Sequence, residues 1–260
     1  LIALVTNAIM KNKIIIFVSF LCMAFFAPEK KPVKIFMAGD STMAIKETKY
    51  FPETGWGMPF VYFWDSSVTV VNKAKNGRST KSFIKEGLWL SIMNEAKEGD
   101  YVFLQFGHND ESVDKGERYS TPDTFKMNLT KFIQETRAKG ATPILFTPVS
   151  RRNFDKDGIA VETHKAYSQL VREVAQEQQV LFIDLDEKSR ALYQQFGETN
   201  SKLLFLQLQP GEHPNYPAGK IDNTHFSELG ARLIAQIVLK EINTLGFELK
   251  DRMIMPAVKK

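Results

Sequence analysis

Five residues in four short stretches of the sequence stand out for their types and spacing. They are Ser41 in Gly-Asp-Ser-Thr, Gly77 in Gly-Arg-Ser, Asn109 in His-Asn-Asp, and Asp222 with His225 in Asp-Asn-Thr-His. A serine hydroxyl needs a base to take its proton during nucleophilic attack, and an imidazole titrates near neutral pH. A nearby carboxylate holds such an imidazole in the correct tautomer. We therefore predict Ser41 as the nucleophile, His225 as the general base and Asp222 as its orienting carboxylate.

The same stretches contain three N–H donors for a developing oxyanion. Attack on an ester builds negative charge on the carbonyl oxygen, and a donor aimed at that oxygen contributes about 3 to 4 kcal/mol. The donors are the backbone N–H of Ser41, which we expect at the start of a helix, the backbone N–H of Gly77 and the side-chain amide of Asn109. A glycine at position 77 places no Cβ in the way of the oxygen. These donors predict an oxyanion hole.

Short apolar runs precede the stretches that hold Ser41, Gly77 and Asn109. Five runs of four to six residues read as buried strands: Val33 to Ala38, Val68 to Asn72, Tyr101 to Phe106, Pro143 to Thr147 and Val180 to Ile183. Segments of helical period separate several of these runs, and parallel strands need such crossovers. The sequence therefore predicts an α/β fold, a three-layer α/β/α sandwich with a five-stranded parallel sheet. Ligands bind at the carboxyl ends of such strands.

Capping residues bound the clearest helices. One begins at Thr121-Pro122 and stops at Gly140, another carries Tyr167 to Val174 on its apolar side, and the last covers Ser227 to Leu245 before Gly246. The chain shows no linker or repeat, so we expect one domain over residues 31–260. The stretch from Leu203 to Asn223 reads as an irregular loop over the strand ends. The tail after Phe247 is unassigned.

The four stretches, taken in order, resemble the blocks of the SGNH (GDSL-type) hydrolase superfamily. Alone, each also fits a structural turn or cap, and their joint order is what favours catalysis. The wider set resembles the rhamnogalacturonan acetylesterase family over about Val33 to Leu245: Gly39-Asp40-Ser41-Thr42-Met43-Ala44, Gly55-Trp56-Gly57, Gly77-Arg78-Ser79, Gln105-Phe106-Gly107-His108-Asn109-Asp110, Thr163-His164-x-x-Tyr167 and Asp222-x-Thr224-His225-Phe226. This resemblance implies a flavodoxin-like strand order 2-1-3-4-5. It also implies removal of acetyl groups from a pectic polysaccharide or oligosaccharide by a serine esterase.

Three further residues are candidates for substrate contacts. Arg78 and His108 adjoin the oxyanion donors and could bind sugar hydroxyls or a uronate carboxylate, and Trp56 could stack on a sugar face or belong to the core. The four histidines lack metal-ligand spacing, so we expect neither a metal nor another cofactor.

Three other functions fit the same residues. An acetylesterase could act on xylan or another glycan, and a small-ester lipase or thioesterase could use the same triad. The third is a glycan-binding protein without catalysis. The polar and aromatic segment from Pro210 to Tyr216 is typical of a sugar-binding rim and disfavours the lipase. The intact catalytic set disfavours the binding protein.

The N-terminal segment reads as a secretory signal peptide over residues 1–27. Met10 is the expected initiator, and Lys11 and Lys13 precede an apolar run from Ile14 to Ala27 that is too short for a spanning helix. We expect a secreted or periplasmic protein that leaves the membrane once the signal is removed. Lipid anchoring at Cys22, the single cysteine, is disfavoured because no small residue precedes it.

The charge of the chain gives no footprint for nucleic acid. Its formal net charge is +4, and removing residues 1–27 takes away two lysines and leaves an excess of only two positive charges. The sequence has no basic run that would bind phosphates. We expect no nucleic-acid partner. The sequence leaves the oligomeric state open.

Overall fold

Five parallel strands form the central sheet, and they correspond to the five predicted apolar runs. In a computed structural model that describes residues 30–254, they are β1 (Val33–Gly39), β2 (Val68–Asn72), β3 (Tyr101–Gln105), β4 (Thr142–Phe146) and β5 (Leu181–Ile183). The strand order is β2-β1-β3-β4-β5, which confirms the predicted order. The register pairs Met37 with Asn72 and Gly39 with Gln105, so the carboxyl ends of β2, β1 and β3 lie side by side.

Helices cover both faces of this sheet, as predicted. Residues 30–254 contain seven α-helices, which are in chain order α1 (Gly57–Phe60), α2 (Thr80–Lys85), α3 (Leu88–Glu95), α4 (Pro122–Ala138), α5 (Lys165–Glu177), α6 (Leu185–Asn200) and α7 (Glu228–Leu245). Side chains alternate along β1, so that Ile35 and Met37 pack with α1, α6 and α7 while Phe36 and Ala38 pack with α2 to α5. This alternation buries both faces and produces three layers.

Local capping explains where the predicted helices begin and end. The Thr121 side chain accepts a hydrogen bond from the Thr124 N–H at 3.3 Å, with Pro122 in the first turn of α4. The Ser227 side chain accepts from the Gly230 N–H at 3.2 Å at the start of α7. Gly246, at φ 74°, ends α7 in the left-handed conformation. The sequence signals for these helices are confirmed.

The region predicted as an irregular loop, Leu203 to Asn223, is in part a second sheet. Strands β6 (Phe205–Leu208) and β7 (Lys220–Phe226) pair antiparallel, with Phe205 opposite Phe226. A search for apolar runs does not detect β7, because its sequence is mostly polar and pairing with β6 rather than burial stabilises it.

The tail after Phe247, which the sequence left unassigned, also has regular structure. Residues Glu248–Arg252 form a 3-10 helix, and Met253 forms a β-bridge with Trp64.

The predicted signal peptide, including Met10 and Cys22, lies outside the described residues, so the predicted domain boundaries stay a prediction. Among the helices of residues 30–254, none is long and apolar enough to cross a membrane.

Candidate active site

A continuous chain of hydrogen bonds joins the three residues of the predicted triad. The Ser41 Oγ lies 2.9 Å from Nε2 of His225, and Nδ1 of His225 lies 2.8 Å from Oδ2 of Asp222. Ser41 follows β1, whereas Asp222 and His225 lie on β7. His225 is 184 residues away from Ser41 in the sequence. The tertiary structure thus brings together the side chains that the sequence singled out, in the geometry that a serine nucleophile and its base require.

Ser41 lies in a tight turn rather than at the start of a helix, which corrects the expectation from sequence. Ala44 donates to the Asp40 carbonyl at 3.1 Å, as one helical turn would require. The next carbonyls are occupied from elsewhere, because the N–H groups of Trp56 and Gly57 donate to Thr42 and Met43 at 2.9 and 3.2 Å. A helix cannot continue once its acceptors are taken, so the chain leaves the turn.

The Gly-Trp-Gly segment is packed directly against this turn. A Cβ on Gly55 would lie 2.0 Å from the Ala44 carbonyl oxygen, and one on Gly57 would lie 2.5 Å from the Met43 carbonyl oxygen. Only glycine therefore fits at either position without displacing the backbone of the turn. This contact explains a motif that the sequence connected to the family but not to a physical role.

Trp56 is not a sugar-stacking residue, and this candidate was wrong. Its side chain is fully buried, packs edge-on against Phe60 and donates through Nε1 to Oε1 of Gln105 at 2.6 Å. The Gln105 amide in turn donates to the Thr42 hydroxyl at 2.6 Å, and Thr42 donates to Asp40 at 2.8 Å. Because the indole N–H finds its hydrogen-bond acceptor inside the core, Trp56 can be buried. Through Gln105 and Thr42 it stabilises the turn that carries Ser41.

Asp222 is held as a carboxylate by its own strand. Its Oδ1 accepts from the N–H groups of Thr224 and His225 at 2.8 and 3.0 Å. Partial burial favours the neutral acid, but the hydrogen bond and charge of His225 and the two backbone donors outweigh it, so the pKa of Asp222 lies well below its usual value. The residue therefore stays charged at any pH at which a histidine base works.

The three residues that carry the predicted oxyanion donors line the same cleft as the triad, and this cleft has a volume of about 550 Å³. Gly77, at φ +76°, and Asn109 line this cleft beside Ser41 and His225. The Asn109 amide donates to the Arg78 carbonyl at 3.0 Å, which orients it. Within residues 30–254, no protein acceptor takes the backbone N–H of Ser41 or of Gly77. Their role at the oxyanion stays a prediction that this placement supports.

The other two predicted substrate contacts also line the cleft. Arg78 makes an ion pair with Glu86, its Nη2 lying 2.8 Å from Oε2. His108 is buried, and its ring centroid lies 4.1 Å from that of His164. Burial first, and then the charges of His164 and Arg151, lower the pKa of His108 well below its usual value. His108 therefore faces the cleft as a neutral imidazole.

Lys46 is a site residue that the sequence analysis missed. Its buried ammonium donates to the Ser41 carbonyl, to Glu53 Oε1 at 2.5 Å and to Asn76 Oδ1 at 2.9 Å. It thereby joins the nucleophile turn to the segment that carries Gly77. Glu53 Oε1 also lies 3.9 Å from Nε2 of His225. Nothing in the local sequence marks Lys46, because its role depends on its burial and on Asn76, which lies 30 residues further along the chain.

Asp110, to which the sequence assigned no role, is a buried connector. Its Oδ1 accepts from the Thr80 N–H at 3.0 Å, from the Thr80 hydroxyl at 2.6 Å and from the Ser120 hydroxyl at 2.8 Å. Burial raises the pKa of this carboxyl to about 7 against the opposing effect of these hydrogen bonds. Asp110 ties the start of α2, just after Gly77 and Arg78, to the loop after β3.

Among the described residues, no cluster of three His, Cys, Asp or Glu side chains could hold a metal ion.

This fold and this site together define an SGNH-type hydrolase, in which a serine follows the first strand of a five-stranded parallel sheet and an Asp-x-x-His segment precedes the last helix. The chain belongs to the GDSL-like lipase/acylhydrolase family, whose sequence model matches residues 37–233.

Two relatives and one solved structure illustrate the similarity. Rhamnogalacturonan acetylesterase RhgT of Bacillus subtilis (strain 168) is 43% identical over 225 residues, which cover 86% of this chain and 96% of that protein. The probable rhamnogalacturonan acetylesterase YesY of the same organism is 35% identical and covers 85% of this chain and 97% of its own. The crystal structure of B. subtilis YxiM superposes with a TM-score of 0.72 at 26% identity, covering 84% of this chain and 58% of that one.

Proposed function

We propose that this protein is a secreted serine acetylesterase that removes acetyl groups from rhamnogalacturonan. The observation that carries the proposal is the hydrogen-bonded chain from the Ser41 hydroxyl through His225 to Asp222. The acetylesterase activity is supported by the similarity to the two B. subtilis relatives, which extends over nearly the full length of each of them. Export is supported by the sequence of residues 1–27 alone.

In the first half of the reaction, the Ser41 Oγ attacks the acetyl carbonyl carbon while its proton passes to Nε2 of His225. The carbonyl electron pair moves onto oxygen, toward the N–H groups of Ser41 and Gly77 and the amide of Asn109. The pair returns as the bond to the sugar oxygen breaks, and His225 donates its proton to that oxygen. An acetyl group is then left on Ser41. Asp222 remains a carboxylate and stabilises the imidazolium.

In the second half, His225 takes a proton from a water molecule that attacks the acetyl-serine. The same donors stabilise the second oxyanion, and the proton returns to Ser41 as acetate leaves. Because His225 acts as base and then as acid in each half, a single imidazole suffices for both steps.

The composition of the cleft favours a small acyl group on a polar alcohol. Its lining residues within residues 30–254 include no Leu, Ile, Val, Met or Phe side chain, and the only aromatic phenols are Tyr50 and Tyr216. A long acyl chain would need apolar surface to bury its methylenes at about 0.8 kcal/mol each. An acetyl group needs almost none. The cleft therefore supports a sugar acetylesterase over the lipase that the sequence left open.

Acetate release from acetylated rhamnogalacturonan tests the proposal, with acetylated xylan assayed in parallel. We expect hydrolysis of the first polymer by the wild-type protein and a loss of roughly 10³-fold or more in Ser41→Ala, since only binding and electrostatic effects remain. Ser91→Ala, which removes a hydroxyl from α3 outside the cleft, is the matched control. Faster release from xylan would reassign the polymer, and full activity in Ser41→Ala would refute the nucleophile.

A further inference from the structure

Among the residues that the structure describes, four cationic side chains line the catalytic cleft, and three of these have an acidic partner. The four are Arg78, Arg118, Arg151 and Lys220. The pairs, with the shortest nitrogen to oxygen distances, are Arg78 with Glu86 at 2.8 Å, Arg151 with Glu111 at 3.5 Å and Lys220 with Asp222 at 3.8 Å. The fourth cation, Arg118, therefore differs from the others in its environment.

Within the described part of the chain, the Arg118 guanidinium makes no hydrogen bond or ion pair. It lies over the backbone of Gly77, since a Cβ built there would be 2.9 Å from Nη1 and 3.3 Å from Cζ of the arginine. The residue is exposed at the mouth of the cleft. An uncompensated cation thus adjoins one of the proposed oxyanion donors, while its neighbours are already neutralised.

The loop that carries Arg118 is anchored at its base. Its two ends meet where the Ser120 N–H donates to the Asp110 carbonyl at 3.0 Å and the Ser120 hydroxyl donates to the Asp110 carboxylate. The buried Tyr167 hydroxyl donates to the Ser120 carbonyl. Asp110 also holds Thr80, three residues after Gly77. One buried carboxyl therefore fixes both the loop of Arg118 and the segment of Gly77, so their relative position is built into the fold.

The geometry points to Arg118 as the residue that binds the carboxylate of a uronic acid unit in the substrate and so selects anionic over neutral polymers. A guanidinium presents a planar fork of donors that matches a carboxylate in a bidentate pair. Rhamnogalacturonan contains galacturonic acid, whose carboxylate is charged at neutral pH. The inference rests on the proposed function for the reaction, and it names the residue that would recognise the charge of the polymer.

Arg78, the arginine that the sequence suggested for a uronate, is less suited to this task. Its Nε and Nη2 both donate to Glu86 Oε2, at 3.0 and 2.8 Å, and its Nη1 donates to the Asn76 carbonyl at 2.7 Å. A substrate carboxylate would have to displace Glu86 to reach the same donors. Arg118 requires no such exchange.

The test compares one acetylated rhamnogalacturonan in two forms, with its carboxylates free or converted to methyl esters. The variants are Arg118→Ala, Arg118→Lys and the matched control Arg232→Ala, which removes an exposed arginine of α7 that does not line the cleft. For Arg118→Ala we expect kcat/KM on the charged polymer to fall at least ~10-fold, mainly through KM, which corresponds to about 1.4 kcal/mol. The loss on the methyl ester should be several times smaller. Arg118→Lys should be intermediate, and Arg232→Ala should match the wild type.

Equal losses on the two polymers would overturn the inference, because the guanidinium would then act on the reacting ester and not on a carboxylate. No loss on the charged polymer would overturn it as well. A binding measurement separates this inference from the proposed function: in a Ser41→Ala background, calorimetry with unacetylated galacturonate oligosaccharides should show Kd raised at least ~10-fold by Arg118→Ala. If the wild type releases no acetate from any polymer, the proposed function fails, and this binding result still decides the role of Arg118.

Discussion

The two sides of the proposed triad are held in place by different means. On the nucleophile side, Asp40, Thr42 and Lys46 are all buried, and their hydrogen bonds reach residues as distant as Asn76 and Gln105. On the base side, Asp222 and His225 lie on β7, a partly exposed strand outside the main sheet. The Asp222 carboxylate is held by hydrogen bonds from Thr224 and His225 that span only two or three residues.

This difference separates stability from activity. A buried polar network couples many segments, so a substitution within it leaves several groups without partners and costs free energy of unfolding. A local turn on a partly exposed strand contributes little to the global fold. Substitutions on the base side should therefore reduce activity and leave stability nearly unchanged, whereas those on the nucleophile side should affect both.

The largest expected effect sharpens the base side of this comparison. In Asp222→Asn, the amide oxygen can still accept from the backbone of Thr224 and His225, but the charge that stabilises the imidazolium is lost. We expect kcat on 4-nitrophenyl acetate to fall by roughly 10³- to 10⁴-fold. The melting temperature should change by less than about 2 °C. A variant that keeps a tenth of the wild-type kcat would show that Asp222 is not the orienting carboxylate.

Lys46→Met tests the nucleophile side. It leaves the Glu53 carboxylate, the Ser41 carbonyl and the Asn76 amide oxygen without their buried cation, which we expect to cost about 3 to 5 kcal/mol in the free energy of unfolding, measured in urea. Activity should fall as well, because the turn of Ser41 loses a contact. The double variant Lys46→Met/Glu53→Gln should recover part of the stability.

Lys126→Met is the matched control for Lys46. Lys126 pairs with Glu177 at 2.8 Å on the surface, where such pairs contribute about 0 to 1 kcal/mol. If both methionine variants lost equal stability, the contrast between a buried network and an exposed pair would be wrong for this protein.

Asn109→Ala measures one oxyanion donor. Removing such a donor costs about 3 to 4 kcal/mol at the transition state, so kcat should fall by roughly 10²- to 10³-fold with little change in KM. Circular dichroism would verify that the variant is folded. An unchanged kcat would remove Asn109 from the proposed oxyanion hole.

The smallest effect concerns Asp110 and the pH dependence of stability. Its pKa is raised to about 7 by burial, so the folded state favours the neutral acid, and the unfolded state releases the proton near the usual value of 3.8. The stability that this group contributes is complete below pH 4 and is lost as the pH rises through about 7. Asp110→Asn keeps an acceptor oxygen without the titration. Urea unfolding between pH 5 and 8 should therefore show a decline in the wild type that is shallower in the variant by about 2 to 3 kcal/mol. Parallel curves would contradict this role.

The sheet, the helices α4, α5 and α7 and the residues of the triad were predictable because each has a local signal, whereas α1, α2, α3 and α6 were not predicted. The apolar runs of β1, β3 and β4 reflect burial on both faces, and caps such as Thr121 and Gly246 act within a few residues. Strand β7 was missed because its residues are mostly polar and the residues that pair with it on β6 lie 12 to 21 positions earlier. Trp56 was predicted as a possible sugar contact because the sequence does not show whether an aromatic side chain is buried in the core or exposed to a ligand.

The sequence by itself shows where the strands end and where the capped helices begin and end. It also shows that a serine, a glycine, an asparagine and an Asp-x-x-His segment occur in this order along the chain. Contacts between distant residues have no such pattern. Lys46 became a bridge between Ser41, Glu53 and Asn76 only through folding, and Arg118 came to lie over Gly77, without a partner among the described residues, for the same reason. A side chain acquires its burial and its partners from segments far away in sequence, so these assignments required the three-dimensional packing of the chain.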